Sequence, residues 1–142
     1  MLLDVNVWFA SVWEEHKHHV EVSSWFDEQD GELRLCRVTQ MALLRLLSNQ
    51  PVMGEAALSR AEAWRVLDEL RSDERVVWTS EPAHLEQVWR VISAREDRSH
   101  KLWTDDYLAA FAQAAGCPLV TLDRGFLTRY PSVAVVTLGD GS

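Results

Sequence analysis

Three aspartates stand where this chain could do chemistry. Asp4 follows the short apolar stretch Leu2-Leu3, Asp123 follows Leu119-Val120-Thr121-Leu122, and Asp105 opens the helical stretch just upstream of that second run. Open α/β sheets bind their ligands outside the carboxyl ends of the strands, at the point where the strand order reverses. If the strands ending at Asp4 and Asp123 are neighbours there, the three carboxylates converge, and convergent carboxylates repel one another unless a cation joins them. An oxygen-only donor set of this kind suits Mg2+ or Mn2+, which keep several waters and take further ligands from substrate phosphates. Each acid also has an ordinary use. Asp105 can stabilise a helix start by up to ~1 kcal/mol through the dipole, and Asp123 can begin the turn Asp123-Arg124-Gly125. Asp4, ending the leading strand, has the least structural work to do.

The elements that must position these acids can be read from periodicity. A strand at 2–4 leads into a buried helix over 6–13, and the polar run Glu14 to His19 separates it from an amphipathic helix ending near Gly31. Leu33 to Val38 reads as a second strand, with Thr39 as N-cap of a helix Gln40–Leu47 that Asn49, Pro51 and Gly54 terminate. Ser59-Arg60-Ala61-Glu62 is a capping box for a helix running to about Arg71. Val76 to Trp78 forms a third strand, and Ser80 with Pro82 opens a helix carrying Leu85, Val88, Trp89 and Ile92. Thr104 caps a helix that runs to Ala115 and is closed by Gly116. The strand 119–122, a helical turn at 124–129 and a last strand at 133–136 complete the chain. Strands alternating with helices imply an α/β fold with a central parallel sheet covered on both faces, and right-handed crossovers put every carboxyl end on one edge.

Composition narrows the options. The 142 residues are read as a single domain, 1–142, and the net charge of -8 argues against broad binding to phosphate backbones. A nucleic-acid substrate therefore needs a local basic rim. Cys36 and Cys117 lack metal-ligand spacing and read as reduced, buried thiols, in keeping with a cytoplasmic protein. No apolar run approaches the ~18 residues of a membrane span. His16, His18 and His19 do not share a helical face and read as a solvated loop rather than a transition-metal site. Most of the seven tryptophans are expected in the core. Trp8 and Trp103, beside two of the acids, could stack a base, but core packing is the expectation. Dinucleotide binding lacks its glycines. A haloacid-dehalogenase phosphatase would need an aspartate where Asn6 stands, and a receiver domain would need paired acids after the first strand.

Four segments in register, Leu3-Asp4-Val5-Asn6, Val38-Thr39-Gln40 with Leu44-Arg45, Thr104-Asp105 with Tyr107-Leu108-Ala109-Ala110, and Thr121-Leu122-Asp123-Arg124-Gly125-Phe126, resemble the PIN domain, specifically the VapC-type toxins of bacterial toxin–antitoxin systems. The resemblance spans essentially the whole chain. It implies a PIN-like three-layer α/β/α fold and a Mg2+- or Mn2+-dependent endoribonuclease that leaves 5′-phosphate and 3′-hydroxyl ends. It also implies an RNA substrate, with tRNA among the candidates, a cognate antitoxin that blocks the site, and a homodimer without membrane attachment. By matching position, Asp4, Asp105 and Asp123 would be the metal ligands. The family's usual glutamate beside the second-motif threonine is replaced by Gln40, which offers a carbonyl oxygen but no charge and no base. Weaker metal binding follows; Asp106 could compensate, but one residue further along a helix it points about 100° away, and a second helix-stabilising acid is the expectation there. Asn6 and Thr121 would orient ligands or water, and Arg45, Lys101 and Arg124 would supply the basic rim. The competing reading is a PIN module disarmed at Gln40, which binds RNA or an antitoxin without cutting.

Overall fold

The structure is a computed structural model that describes residues 1–139, so the last three positions of the unit 1–142 lie outside the described residues. Five short strands form one parallel sheet: β1 (Leu2–Leu3), β2 (Leu33–Leu35), β3 (Val76–Trp78), β4 (Leu119–Thr121) and β5 (Val135–Thr137). Their spatial order is β3-β2-β1-β4-β5. The chain steps outward from β1 to β2 and β3, then crosses to the other side of β1 for β4 and β5. Strand order therefore reverses between β1 and β4, the two strands that Asp4 and Asp123 follow.

Eight α-helices cover the sheet among the described residues: α1 (Val5–Val12), α2 (His19–Asp27), α3 (Arg37–Leu47), α4 (Gln50–Met53), α5 (Arg60–Arg71), α6 (Leu85–Ser93), α7 (Trp103–Ala115) and α8 (Phe126–Arg129). Successive strand residues point to opposite faces, and the packing follows that alternation. Leu3 and Val120 join Leu33 and Leu35 under Val7, Val22, Leu43 and Leu67, from α1, α2, α3 and α5. Leu2 and Leu119 face the other way and pack with Ile92, Leu108, Phe111 and Phe126, from α6, α7 and α8. The result is the expected three-layer α/β/α arrangement. Because both faces are covered, β1 and β4 are buried along their whole length.

Several boundaries differ from the pattern read in the sequence, each for a local reason. The second strand stops at Leu35 because Cys36 is already the N-cap of α3. Thr39 is not the cap; it sits in the first turn, where its hydroxyl accepts from the Cys36 N–H at 3.2 Å and donates to the Cys36 carbonyl at 3.0 Å. The helix α6 starts at Leu85 rather than near Pro82, since His84 before it takes a left-handed conformation, φ 66°. In α7 the cap is Leu102, and Thr104 stands exposed inside the first turn. An added helix, α4, grows from Asn49, whose side chain accepts from the Val52 N–H. The Ser59 and Glu62 capping box is formed, at 3.1 and 3.0 Å.

The tryptophans divide. Trp8 is fully buried, and Trp13, Trp25, Trp78 and Trp89 pack against the two cores. Trp64 and Trp103 instead stand 48% and 55% exposed. The histidines form a corner folded onto α1: His16 stacks edge-on against Phe9, and His19 Nδ1 meets the Ala10 carbonyl at 2.7 Å. Both cysteines are free thiols, Cys36 buried and Cys117 partly so.

Candidate active site

Asp4 leaves β1 and immediately caps α1, its carboxylate accepting from the Val5 N–H at 2.7 Å. So the acid for which the sequence offered least structural use does have one. Its second oxygen accepts from the Thr121 hydroxyl, 2.8 Å away across the β1/β4 boundary. The same hydroxyl oxygen accepts from the Asp123 N–H at 3.1 Å and from the Asn6 amide at 3.3 Å, while the Asn6 carbonyl accepts from the Leu122 N–H at 3.1 Å. Asn6 and Thr121 thus lace α1 to the end of β4 and fix Asp4 against Asp123. Asp4 is 5% exposed, and burial, reinforced by the charge of Asp123, holds its carboxyl above the ordinary range.

Asp105 enters from the first turn of α7. Burial first, then the charge of Asp4, raises its carboxyl to about 6. Asp123 behaves in the opposite way. Its hydrogen bond to Arg129 lowers its carboxyl below the ordinary range, and its Oδ1 also accepts from the Gly125 N–H at 2.9 Å.

Arg129, at the end of α8, links the two. Its Nη2 donates to Asp123 Oδ2 at 2.6 Å and to Asp105 Oδ2 at 3.2 Å. The guanidinium lies beside the rings of Phe126 and Tyr130, and its Nε is buried without a hydrogen-bond partner among the described residues. Gly125 makes room for it, since a Cβ there would come within 2.8 Å of Arg129 Nη1. Sequence reasoning passed over Arg129 because it lies six residues beyond the motif acid. Only the closing of the 126–129 turn brings it back over Asp123.

The other predicted site residues fall elsewhere. Asp106 turns about 100° further round α7 and is buried, accepting a short hydrogen bond from the Tyr130 hydroxyl. Gln40 is buried in α3, its carbonyl taken by the Arg37 guanidinium, which stacks on Trp78 at the end of β3. Arg45 lies in a groove between α3 and α5 with Trp64, and exposed Arg124 reaches the Gly139 carbonyl, at 3.5 Å. Among the described residues the cation that pairs with Asp105 and Asp123 is Arg129, not Arg45 or Arg124. Lys101 is exposed in the segment before α7.

Among the described residues no three His, Cys, Asp or Glu side chains are grouped closely enough to hold one ion as they stand. The donor chemistry nonetheless fits a hard cation. All three acids offer only oxygen, two of them are held at raised pKa by burial and mutual repulsion, and a positive group of the chain itself already bridges Asp105 and Asp123. What the arrangement offers is a negative crevice at the switch point, in which Asp4 is held by the Val5 N–H and the Thr121 hydroxyl, Asp123 by the Gly125 N–H and Arg129, and Asp105 by Arg129.

Comparison with known proteins bears on the family and the fold. Residues 1–130 match the family model of the PIN domain. The chain is 39% identical to Ribonuclease VapC41 of Mycobacterium tuberculosis over 94% of both chains, and 32% identical to Ribonuclease VapC31 of the same organism over 93% of this chain and 94% of that one. In structure it is similar to a DNA-bound VapBC from Salmonella typhimurium, with a TM-score of 0.71, 16% identity and 96% of each chain covered.

Proposed function

The chain belongs to the PIN-domain family, and from that premise we propose that it is an endoribonuclease toxin of the VapC type, working with Mg2+ or Mn2+ and restrained by a cognate antitoxin. The observation that supports this most is the placing of Asp4, Asp105 and Asp123 on the carboxyl edge around the β1/β4 switch point. In this reading the whole chain, 1–142, acts as one domain in the cytoplasm, as a homodimer, on RNA that includes tRNA. No helix among the described residues is long and apolar enough to cross a membrane.

Asp4, Asp105 and Asp123 would hold the metal, which supplies Lewis acidity toward a phosphate oxygen and a bound water of lowered pKa. The chain's own residues prepare the place. Asp4 is fixed by Val5 N–H and the Thr121 hydroxyl, so one of the three carboxylates needs no reorganisation when a cation arrives. Asn6 keeps the β4 end from moving away from α1. Arg129 balances the charge of Asp105 and Asp123 and would offer guanidinium N–H groups to a phosphate held beside them.

Gln40 favours one rival, a module that binds RNA without cutting it, because the side chain brings no charge and is already engaged by Arg37. The test is to incubate purified protein with tRNA and Mn2+, map product ends, and run Gln40→Glu beside it. Cuts with 5′-phosphate ends by the unaltered chain support the nuclease. Cutting seen only in Gln40→Glu supports the rival.

A further inference from the structure

Beside the acids lies a cavity of about 330 Å³ that none of the roles above uses. Its walls come from the α6–α7 connection, the first turn of α7 and the end of α8; Ser93, Arg95, Trp103, Asp106, Arg129 and Tyr130 are among its lining residues. Arg129 is the shared wall, because the same side chain lines the cavity and binds Asp105 and Asp123. Anything filling the cavity therefore sits next to the acid crevice.

Trp103 is the unusual member. A residue type expected in the core is left 55% exposed, lining both this cavity and a neighbouring groove with Glu86, Trp89 and Arg90. The Trp89 indole N–H donates to the Trp103 carbonyl at 3.3 Å, and the two rings meet edge to face at 6.2 Å. On α7, Trp103 and Asp106 are three residues apart and share a side of the helix. Arg95 is anchored through Nε to the Ile92 carbonyl at 2.9 Å, and no other hydrogen bond occupies its terminal N–H groups among the described residues. The same connection carries Arg98 and Lys101 beside Glu96 and Asp97, all exposed, so with Arg95 its charge is only slightly positive in a chain that is acidic as a whole.

We propose that this cavity is a nucleotide subsite, in which Trp103 stacks one base of the RNA and the attached phosphate is directed past Arg129 toward the acid crevice. The proposal rests on the ribonuclease reading and deepens it. Three features point to a nucleotide rather than to a simple anion or an apolar ligand. The volume is at the lower end of the range for small-molecule sites. One exposed aromatic ring offers a stacking platform. Ser93, Arg95 and Asp97 offer both donors and acceptors to a base edge. A base held here fixes which phosphodiester bond faces Asp4, Asp105 and Asp123, so the cavity sets base preference beside the cut.

The test has two arms. In the first, the full chain in EDTA is titrated calorimetrically with the four nucleoside 5′-monophosphates and with inorganic phosphate. At least one nucleotide should bind more tightly than phosphate, Trp103→Ala should weaken it tenfold or more, and Trp103→Phe should stay within about threefold of the unaltered chain. In the second, cleavage of a randomised RNA pool with Mn2+ is sequenced. Trp103→Ala should raise KM and flatten the base preference at one position beside the cut, while Trp103→Phe retains it. Equal binding of phosphate and nucleotides, or an unchanged preference and KM in a folded Trp103→Ala, overturns the subsite and leaves the nuclease intact. Trp103-dependent nucleotide binding by a chain that cuts no RNA overturns the nuclease and leaves the subsite.

Discussion

Replacing Arg129 by Met removes the guanidinium that bridges Asp105 and Asp123 and keeps a side chain long enough to cover Phe126 and Tyr130. The guanidinium makes two charge-assisted contacts, at 2.6 and 3.2 Å, between groups that are 32%, 39% and 31% exposed for Arg129, Asp123 and Asp105. Buried, each such bond would be worth ~1.5–3 kcal/mol. At this exposure the value of a screened pair, up to ~1 kcal/mol, is the better guide, so the loss at neutral pH is about 1–2 kcal/mol. The pH dependence is more telling than the size. Asp105 has a folded-state pKa of about 6, above the ordinary 3.8, so between those values the folded state holds more protons than the unfolded one. Its ionisation therefore costs stability as pH rises from about 4 to about 6, and the cost is complete above that. Two pKa units correspond to ~3 kcal/mol, an upper bound for a carboxylate that is one-third exposed. Arg129 opposes this cost. Without it the Asp105 carboxyl moves above 6, and the loss of stability deepens and extends toward pH 7. Urea unfolding at pH 5, 6, 7 and 8 in EDTA, with a carboxyl NMR titration of Asp105, measures both effects. Parallel profiles for Arg129→Met and the unaltered chain, with the Asp105 midpoint unmoved, would refute Arg129 as the counter-ion.

Two further outcomes follow from the same contacts. Thr121→Val deprives buried Asp4 of its hydroxyl donor and Asp123 of an acceptor for its N–H, so urea unfolding should show a loss of about 1–3 kcal/mol at neutral pH; an unchanged midpoint would mean the hydroxyl does not hold the crevice together. Gly125→Ala places a Cβ against the movable end of Arg129 rather than against backbone, so the fold should survive within about 1 kcal/mol while the Asp105 titration shifts upward, in the direction that Arg129→Met produces. An Asp105 midpoint that falls or stays put would show that the guanidinium seat does not depend on Gly125.

The sheet and its covering were legible because the strands are apolar on consecutive residues and the helices between them carry apolar stripes. Asp4 and Asp123 could be placed for the same reason, since each ends such a strand. What the sequence concealed depended on turns. Cys36 rather than Thr39 caps α3, because a threonine hydroxyl serves equally well as a cap or as a first-turn partner, and only the backbone decides. The choice among basic residues failed similarly: Arg124 is adjacent to Asp123 in the chain but its guanidinium meets the Gly139 carbonyl, whereas Arg129 returns to Asp123 after one short helix. Trp103 was expected inside on residue type, and its exposure became visible only with the α6–α7 connection in place. Gln40 was legible as a departure from the family pattern, but its bond to Arg37 was not.

The proposed activity requires the three acids to act together through a divalent cation on RNA. The direct measurement is single-turnover cleavage of a labelled tRNA by the unaltered chain and by Asp105→Asn, a partly exposed position that leaves the Asp4 cap intact, across a Mn2+ titration and in EDTA. The expected result is cleavage that saturates with Mn2+, disappears in EDTA, and falls at least a hundredfold in folded Asp105→Asn. Cleavage that persists in EDTA, or that Asp105→Asn carries out at the unaltered rate, would contradict it.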